Sequence, residues 1–328
     1  MLAEKIAHYE ATGKMLRCWP SQYKAHYPWL QEVDSSALIG AYNALEAAYN
    51  NFFRNRKAGY PKFKSKRKGH NSFTTKKTNG NIELTDTVLK LPNLGMIKVK
   101  KHRQIPEGFQ MKSVTISLTS SGKYFASILY EYDKRISLIE PEKVIGLDFS
   151  MTELFVPSEG IVPDYPRPYR NTLVKLAKEQ RKLSRRDRGG SNYNKQKRKV
   201  ARIHEHVTNQ RKDFLHKQSR QITNVYDAVC IEDLNMKGMS QTRGFGKSVS
   251  DNGWGIFTRM LEYKLFEQGK QLVKIGKWYP SSKKCSKCGK TKELLLSDRI
   301  YSCDCGLVLD RDHNAAINIR NEGIRLLA

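Results

Sequence analysis

Four cysteines late in the sequence have the spacing of a metal site. Two residues separate Cys285 from Cys288, one separates Cys303 from Cys305, and fourteen lie between the pairs. Zn²⁺ takes four such ligands at tetrahedral corners, and a glycine follows each pair, where the chain would turn back. The single-residue gap of the second pair departs from the usual two. The pattern predicts one structural zinc ion, against the alternative of four reduced cysteines without metal.

Three acidic residues occupy positions where a carboxylate needs a partner. Asp148 ends the apolar run 144–147, and Glu232 ends the run 228–231, so an isolated charge there would be costly. Asp312 opens the last predicted helix. Three carboxylates brought together would repel each other unless cations lay between them, and such a cluster suits two Mg²⁺ ions in phosphodiester cleavage. The competing interpretation of each residue alone is a helix cap or a surface ion pair.

The overall charge indicates a polyanionic partner. The 328 residues include 59 Lys and Arg against 32 Asp and Glu, a formal net charge of +27. A small domain needs a net charge of only about 2–8 for solubility, and nucleic acid is the default partner for a larger excess. A membrane surface is the weaker alternative, because no apolar run approaches the roughly 20 residues of a span and no secretory signal begins the chain. We therefore expect a cytoplasmic protein, associated with the nucleoid when bound.

Two basic segments are the expected contacts to phosphate backbones. The expected contact residues are Lys62, Lys64, Lys66, Arg67, Arg181, Lys182, Arg185, Arg186 and Arg198. Phosphate binding by these side chains would release counterions, so affinity should fall steeply with salt. The alternative is a solvated face that binds nothing.

These residues need helices and strands to position them. Apolar residues at three- and four-residue spacing between 38 and 52 predict an amphipathic helix, with Ser35 or Ser36 as its N-cap. Residues 71–138 carry short runs of β-formers separated by Gly and Pro, which predicts a small β-barrel or β-rich module. Further along, strands alternate with helices, which indicates an α/β domain.

Several stretches of the chain together resemble the TnpB family of transposon-encoded proteins, which are related to type V CRISPR effectors. The stretches are VIGLDFS, IEDL, DRDHNAAINI, WYPSSKKCSKCG, DNGWGIF, AGYPKFKSKRKGHNSF and YPWLQEVDSSAL. The first three resemble the family's RuvC-type nuclease motifs, and the resemblance runs over nearly the whole chain.

The resemblance implies an α+β multidomain protein. Its expected parts are a helical recognition region at 1–70, a β-barrel or wedge module at 71–138, and an RNase H-like (RuvC) α/β nuclease domain at 139–328 with a zinc ribbon inserted at 281–308. Members of the family usually begin with a strand and a helix ahead of any match to this N-terminus. We therefore expect the recognition region to be N-terminally truncated.

The resemblance also implies a function, that of a Mg²⁺-dependent, RNA-guided DNA endonuclease. Its catalytic acids would be Asp148, Glu232 and Asp312. Asp312 is preferred to Asp310 because the family's acid directly precedes the x-Asn-Ala-Ala run. The partners would be a guide RNA transcribed from the transposon end and a matched target DNA, and the cofactors one Zn²⁺ and two Mg²⁺. The alternatives are an RNA- and DNA-binding relic or repressor without activity, and a transposase that also joins strands.

Overall fold

The computed structural model describes residues 1–55, 57–63, 71–241, 251–295 and 297–328. They form two compact units, Met1–Lys134 and Arg135–Ala328. Among the described residues, no helix is both long and apolar enough to cross a membrane.

The first unit begins with helices. Helix α1 spans Leu2–Thr12 and α2 spans Ser35–Arg54, with two short 3-10 turns between them. The predicted amphipathic helix is present, and Tyr42 and Tyr49 are its buried residues. The predicted cap is wrong by one or two positions. Asp34 caps α2, because its carboxylate accepts a hydrogen bond from the backbone N–H of Ser36 at 3.2 Å.

Six strands follow in the described part of the first unit. They are β1 (Asn71–Lys76), β2 (Glu83–Leu84), β3 (Val88–Leu91), β4 (Gly95–Lys98), β5 (Gln110–Leu118) and β6 (Tyr124–Glu131). They form two antiparallel sheets, ordered β1-β5-β6 and β2-β3-β4. Val114 of the first sheet packs with Leu89 and Leu91 of the second in one core.

The β-rich module is therefore present, but a closed barrel is not formed by the described strands. Strands β2 and β4 are two and four residues long. Such short strands offer few ladder hydrogen bonds, so the two sheets are held together by a shared apolar core and not by continuous pairing around a barrel.

The second unit is a mixed α/β domain. Within the described residues its elements are β7 (Val144–Phe149), β8 (Phe155–Pro157), α3 (Pro168–Ser184), α4 (Ser191–Val225), β9 (Ala228–Glu232), α5 (Met236–Gln241), α6 (Trp254–Phe266), β10 (Gln271–Ile275), β11 (Ile300–Ser302), β12 (Val308–Asp310) and α7 (Arg311–Leu327). The central sheet has the order β10-β9-β7-β8. Strands β7, β9 and β10 run parallel, and β8 is antiparallel to β7.

Helices cover both faces of the central sheet. On one face, Ile145 and Val229 pack with Leu215 of α4 and Leu261 of α6 in the largest core cluster. This arrangement explains the apolar character of the two central strands, because parallel strands are buried on both sides.

The opposite face carries α7, which lies unusually close to the strands. A Cβ added to Gly146 would stand 2.6 Å from the backbone nitrogen of Arg320 and closer still to the carbonyl oxygen of Ala316. A Cβ on Gly323 would collide in the same way with Cys230 of β9. Two glycines, one on β7 and one on α7, therefore allow the helix to rest directly on the strands.

Helices α3 and α4 form a pair with an apolar seam and a polar clamp. Leu176, Val200 and Ile203 are buried between them. Beside the seam, Glu179 accepts a hydrogen bond from Gln196 at 2.7 Å and forms ion pairs with Lys182 and Lys199. These hydrogen bonds, first that from Gln196, lower the pKa of Glu179 to about 2.

Candidate active site and metal centre

Two of the three predicted acids share one face of the central sheet. Side chains alternate between the faces of a strand, so Asp148 points to the same side as Gly146, and Glu232 to the same side as Cys230. Gly146 pairs with Cys230 in the parallel ladder. Asp148 follows Gly146 by two residues, and Glu232 follows Cys230 by two residues. Cys230 packs against Ile319 of α7. The two carboxylates therefore lie at the carboxyl ends of neighbouring strands, on the side that α7 covers.

Asp312 lies in the first turn of α7, one turn before the residue that rests on β7. Asp310, the other candidate at this position, is the N-cap of the helix. Its carboxylate accepts hydrogen bonds from the backbone N–H groups of Asp312 and His313, at 2.9 and 3.0 Å. The His313 ring also approaches the carbonyl oxygen of Ser158 at 3.2 Å, next to β8. The cap role of Asp310 leaves Asp312 as the better candidate for the third acid.

Burial raises the pKa of two of the acids, and in Asp148 the other two acids add to the effect. Burial, and after it the charges of Glu232 and Asp312, raises the pKa of Asp148 well above its usual value, although Arg311 opposes this. Burial also raises the pKa of Glu232, against a hydrogen bond from Ser281. The three groups thus concentrate negative charge in a partly buried place, and oxygen ligands with excess negative charge are what Mg²⁺ requires.

The three carboxylates are not drawn together around one point. Across the described residues, the four cysteines alone form a group of three or more Cys, His, Asp or Glu side chains with ligand atoms within 4.8 Å of one another. Asp312 faces the Arg311 guanidinium, 3.1 Å away, and Glu232 accepts a hydrogen bond from the Ser281 hydroxyl. The side chains would need to reorient toward a shared cation.

The four cysteines form a compact sulfur cluster. The sulfur atoms of Cys285 and Cys305 are 3.6 Å apart, and those of Cys288 and Cys303 are 3.5 Å apart. Four thiolates around zinc, each about 2.3 Å from the ion, would be about 3.8 Å from one another, whereas a disulfide brings two sulfurs to about 2.0 Å. The spacing fits a tetrahedral zinc site.

Two tight turns explain how both cysteine pairs reach the same point. Gly289 and Gly306 follow the pairs, and both have positive φ, at 78° and 86°. The amide of Gly289 donates to the Cys285 carbonyl, and that of Gly306 to the Cys303 carbonyl. Burial acts to raise the pKa of Cys285, but hydrogen bonds from backbone N–H groups and from the thiols of Cys288 and Cys305 outweigh it and lower the pKa to about 6. A backbone donor acts to lower the pKa of Cys288, but burial and hydrogen bonds to the neighbouring cysteines outweigh it and raise that pKa instead. Cys285 is therefore the cysteine of this pair that most readily forms the thiolate.

Helix α7 is hydrogen-bonded to the module that carries the four cysteines, residues 281–308. Asn314 and Asn318, both buried, donate to the carbonyl oxygen of Lys284 at 2.7 and 2.6 Å. Asn318 also donates to the carbonyl of Ser281 at 2.8 Å, and Ser281 in turn donates to Glu232. The module therefore contacts both the helix that bears the third acid and the second acid itself. The sequence analysis missed the roles of Ser281 and Asn318. The only available signal was their place within motif-like stretches.

A third buried asparagine, Asn252, supports the segment that follows the first acid. Asn252 is 1% exposed, and its side chain donates to the carbonyl oxygen of Ser150 at 2.6 Å, two residues after Asp148. Its neighbour Asp251 is also buried and is paired with Arg211 at 3.1 Å. The segment before α6 thus fixes the end of β7. Sequence reasoning noted this stretch only as part of a resemblance.

The predicted nucleic-acid contacts that the structure describes lie in both units. Arg181, Lys182, Arg185, Arg186 and Arg198 are exposed at the end of α3, just after it, and on α4. Lys62 is exposed in a loop of the first unit, and Lys64, Lys66 and Arg67 lie outside the described residues. The α3–α4 pair also carries a cleft of about 370 Å³, whose lining includes Lys175, Lys199, Arg202 and His206. Of these, Lys175 and Arg202 are additional cations that the sequence analysis did not single out.

Comparison with known proteins defines the class. A family model described as a probable transposase, OrfB_IS605, matches residues 127–243, and one for the Cas12f1-like TNB domain matches residues 254–319. A putative RNA-guided DNA endonuclease of Streptomyces pristinaespiralis is 37% identical over 304 residues, which cover 90% of this chain and 73% of the relative. InsQ of Escherichia coli K12, with the same description, is 32% identical over 351 residues, which cover 100% and 86%.

The fold has a solved counterpart. A Cas12f1 chain, determined by cryo-electron microscopy in a complex with sgRNA and target DNA, superposes with a TM-score of 0.59 at 15% identity, over 98% of this chain and 79% of that one. The chain thus shares the fold of this Cas12f1 chain. The chain belongs to the TnpB family.

Proposed function

We propose that this protein is an RNA-guided DNA endonuclease that hydrolyses phosphodiester bonds with Mg²⁺ at Asp148, Glu232 and Asp312. The observation that carries the proposal is the convergence of the two strand ends and the first turn of α7 on one face of the sheet. The names of the two bacterial relatives support the same activity. In this proposal residues 139–328 are a RuvC-like nuclease domain, which acts on DNA in the cytoplasm.

The three carboxylates would hold the metal ions, with Ser281 orienting Glu232. When bound, Mg²⁺ supplies activation of the attacking water and stabilisation of the leaving oxygen. The positive charge of Arg311 acts to lower the pKa of Asp148, and its guanidinium forms an ion pair with Asp312. Asn252 and His313 restrain the segments from which the acids project.

Base pairing with a guide RNA would supply the sequence specificity, and the protein would hold the heteroduplex through its shape and charge. The exposed arginines and lysines of the α3–α4 pair, together with the cleft beside them, support contacts to phosphate. We propose zinc at the four cysteines as the structural ion of a module within the nuclease domain.

The test is cleavage of matched DNA by the purified protein with guide RNA and Mg²⁺. Asp148→Ala removes a proposed metal ligand, so we expect no detectable cleavage. Glu140→Ala is the matched control, because Glu140 is an exposed acid just before β7, and it should cut as the parent does. Equal cutting by Asp148→Ala and the parent would refute the catalytic assignment.

A second candidate function is strand joining, which the description of the matching family model as a probable transposase favours. A strand-transfer assay separates it from the first, because only a transposase gives joined products. A protein that retains RNA but leaves matched DNA whole would instead be the binding relic or repressor.

A further inference from the structure

The loop after β10 presents a tryptophan to solvent. Trp278 is 87% exposed, compared with 60% for Trp29 and 2% for Trp254. The ammonium group of Lys277 lies 4.8 Å from the centroid of the Trp278 ring, a cation–π contact. Single exposed aromatic residues are common, so the location of this ring decides whether it has a role.

Both ends of this loop contact Glu232. Ile275, the last residue of β10, pairs with Glu232 in the parallel ladder. Six residues later, the Ser281 hydroxyl donates to the Glu232 carboxylate. Trp278 is midway, three residues from each end, and three residues span at most about 11 Å. The exposed ring is therefore held beside the acid site.

The loop backbone is also fixed. The amide of Tyr279 donates to the carbonyl of Gly276 at 2.9 Å, which closes a four-residue turn with Trp278 at its third position. The amide of Ser281 donates to the carbonyl of Tyr279, and the Ser281 carbonyl accepts from Asn318 of α7. A ring on such a backbone loses little conformational freedom when it binds a flat partner.

We propose that Trp278 is a stacking platform for a nucleobase of the single DNA strand held at the acid site. An exposed indole can stack on any base, because every base has a π-face, so the contact would position the strand without selecting a sequence. The Lys277 ammonium lies over one face of the ring, which leaves the other face for the base and puts a positive charge beside the bound strand. The identity of the strand as a cleavage substrate rests on the proposed function, but the stacking itself does not.

Binding is measured first without guide RNA or divalent metal, using the full chain and a fluorescein-labelled oligodeoxythymidylate of roughly eight nucleotides, within the site size typical of single-strand binders. Stacking contributes about 5- to 150-fold in affinity per base, so we expect Trp278→Ala to weaken binding by that factor. Trp278→Phe keeps a ring and should stay close to the parent.

Salt separates stacking from charge. Phosphate contacts weaken with added salt, whereas a stacking contact does not depend on counterion release, so the ratio between parent and Trp278→Ala should persist at high salt. Phe266→Ala is the matched control. Phe266 is an aromatic residue, 62% exposed, and the last residue of α6. It therefore precedes the start of β10, whereas Glu232 pairs with the end of that strand. The control variant should bind as the parent does.

Cleavage is the second readout. In the RNA-loaded protein, Trp278→Ala should raise KM for matched DNA more than it lowers kcat, because the ring positions substrate. Binding by Trp278→Ala within twofold of the parent at both salt concentrations would overturn the proposal, even if the parent cuts DNA. A parent that cuts nothing, yet binds the oligonucleotide in a Trp278-dependent manner, would support the platform and refute the proposed endonuclease.

Discussion

Replacing Gly146 by alanine tests the close contact between α7 and β7. The added Cβ would stand 2.6 Å from the backbone nitrogen of Arg320, whereas ordinary contacts begin at 3.4 Å. The helix must therefore lift by close to an ångström, because backbone atoms cannot rotate away as a side chain can. Overpacking of a core costs about 1–3 kcal/mol, and this site should lie at the upper end. That corresponds to a fall in melting temperature of roughly 5–12 °C for a unit of this size.

The displaced helix carries Asp312, so cleavage should fall as well. A misplacement of about 1 Å can reduce catalysis by about a hundredfold, and we expect this loss at temperatures where the variant stays folded. Gly255→Ala is the control, because Gly255 lies in helix α6 and a Cβ added there would meet open space. This change should raise the free energy of unfolding by up to about 1 kcal/mol, because alanine is the better helix former. Calorimetry gives the melting temperature of each variant, and a cleavage assay gives its rate. If Gly146→Ala melts and cuts like the control, α7 does not rest on β7 as described.

Three further predictions follow from contacts around the site. Ser281→Ala should raise the Mg²⁺ concentration for half-maximal cleavage roughly 10- to 100-fold, with unchanged zinc content, because Glu232 loses its orienting donor. Ser282→Ala is the control. An equal Mg²⁺ dependence of the two variants would contradict the orienting role of Ser281. Replacing Cys285 and Cys288 by serine should release zinc and reduce cleavage, because α7 hydrogen-bonds to the module that carries the cysteines. Full cleavage by the zinc-free protein would show that the module does not support the acid site. Glu179→Gln should lower the melting temperature near pH 6, because the charged carboxylate stabilises the folded state, as its lowered pKa indicates. The difference in melting temperature from the parent should shrink as pH falls below about 4.5 toward 2, where the carboxylate becomes protonated. A difference that does not change with pH would exclude this cause.

The central strands could be predicted because their pattern is local. Apolar runs at 144–147 and 228–231 each end in an acid, and both are strands of the parallel part of the sheet. An apolar run of that length indicates a buried strand, and parallel neighbours bring their carboxyl ends to one edge. The cysteine spacing was similarly informative, because metal ligation constrains a few adjacent residues.

The supporting contacts could not be predicted, because they join distant parts of the chain. Ser281 meets Glu232 across 49 positions, and Asn252 meets Ser150 across 102. A serine or asparagine carries no pattern that names its partner. The cap of α2 was misassigned for a related reason, since Asp, Ser and Thr are all good caps and only the backbone geometry selects Asp34. Whether the strands of the first unit close into a barrel depends on how their side chains pack, and the periodicity of the sequence does not determine this packing.

The position of α7 at the end of the domain has a consequence for synthesis. About 160 residues separate Asp148 from Asp312, and a ribosome needs roughly 8–30 s to add them. During that interval the face of β7 and β9 that bears Gly146 and Cys230 has no helix to cover it, and the three acids cannot meet. The growing chain would therefore carry exposed apolar strands, and the proposed acid site would stay incomplete, until α7 emerges.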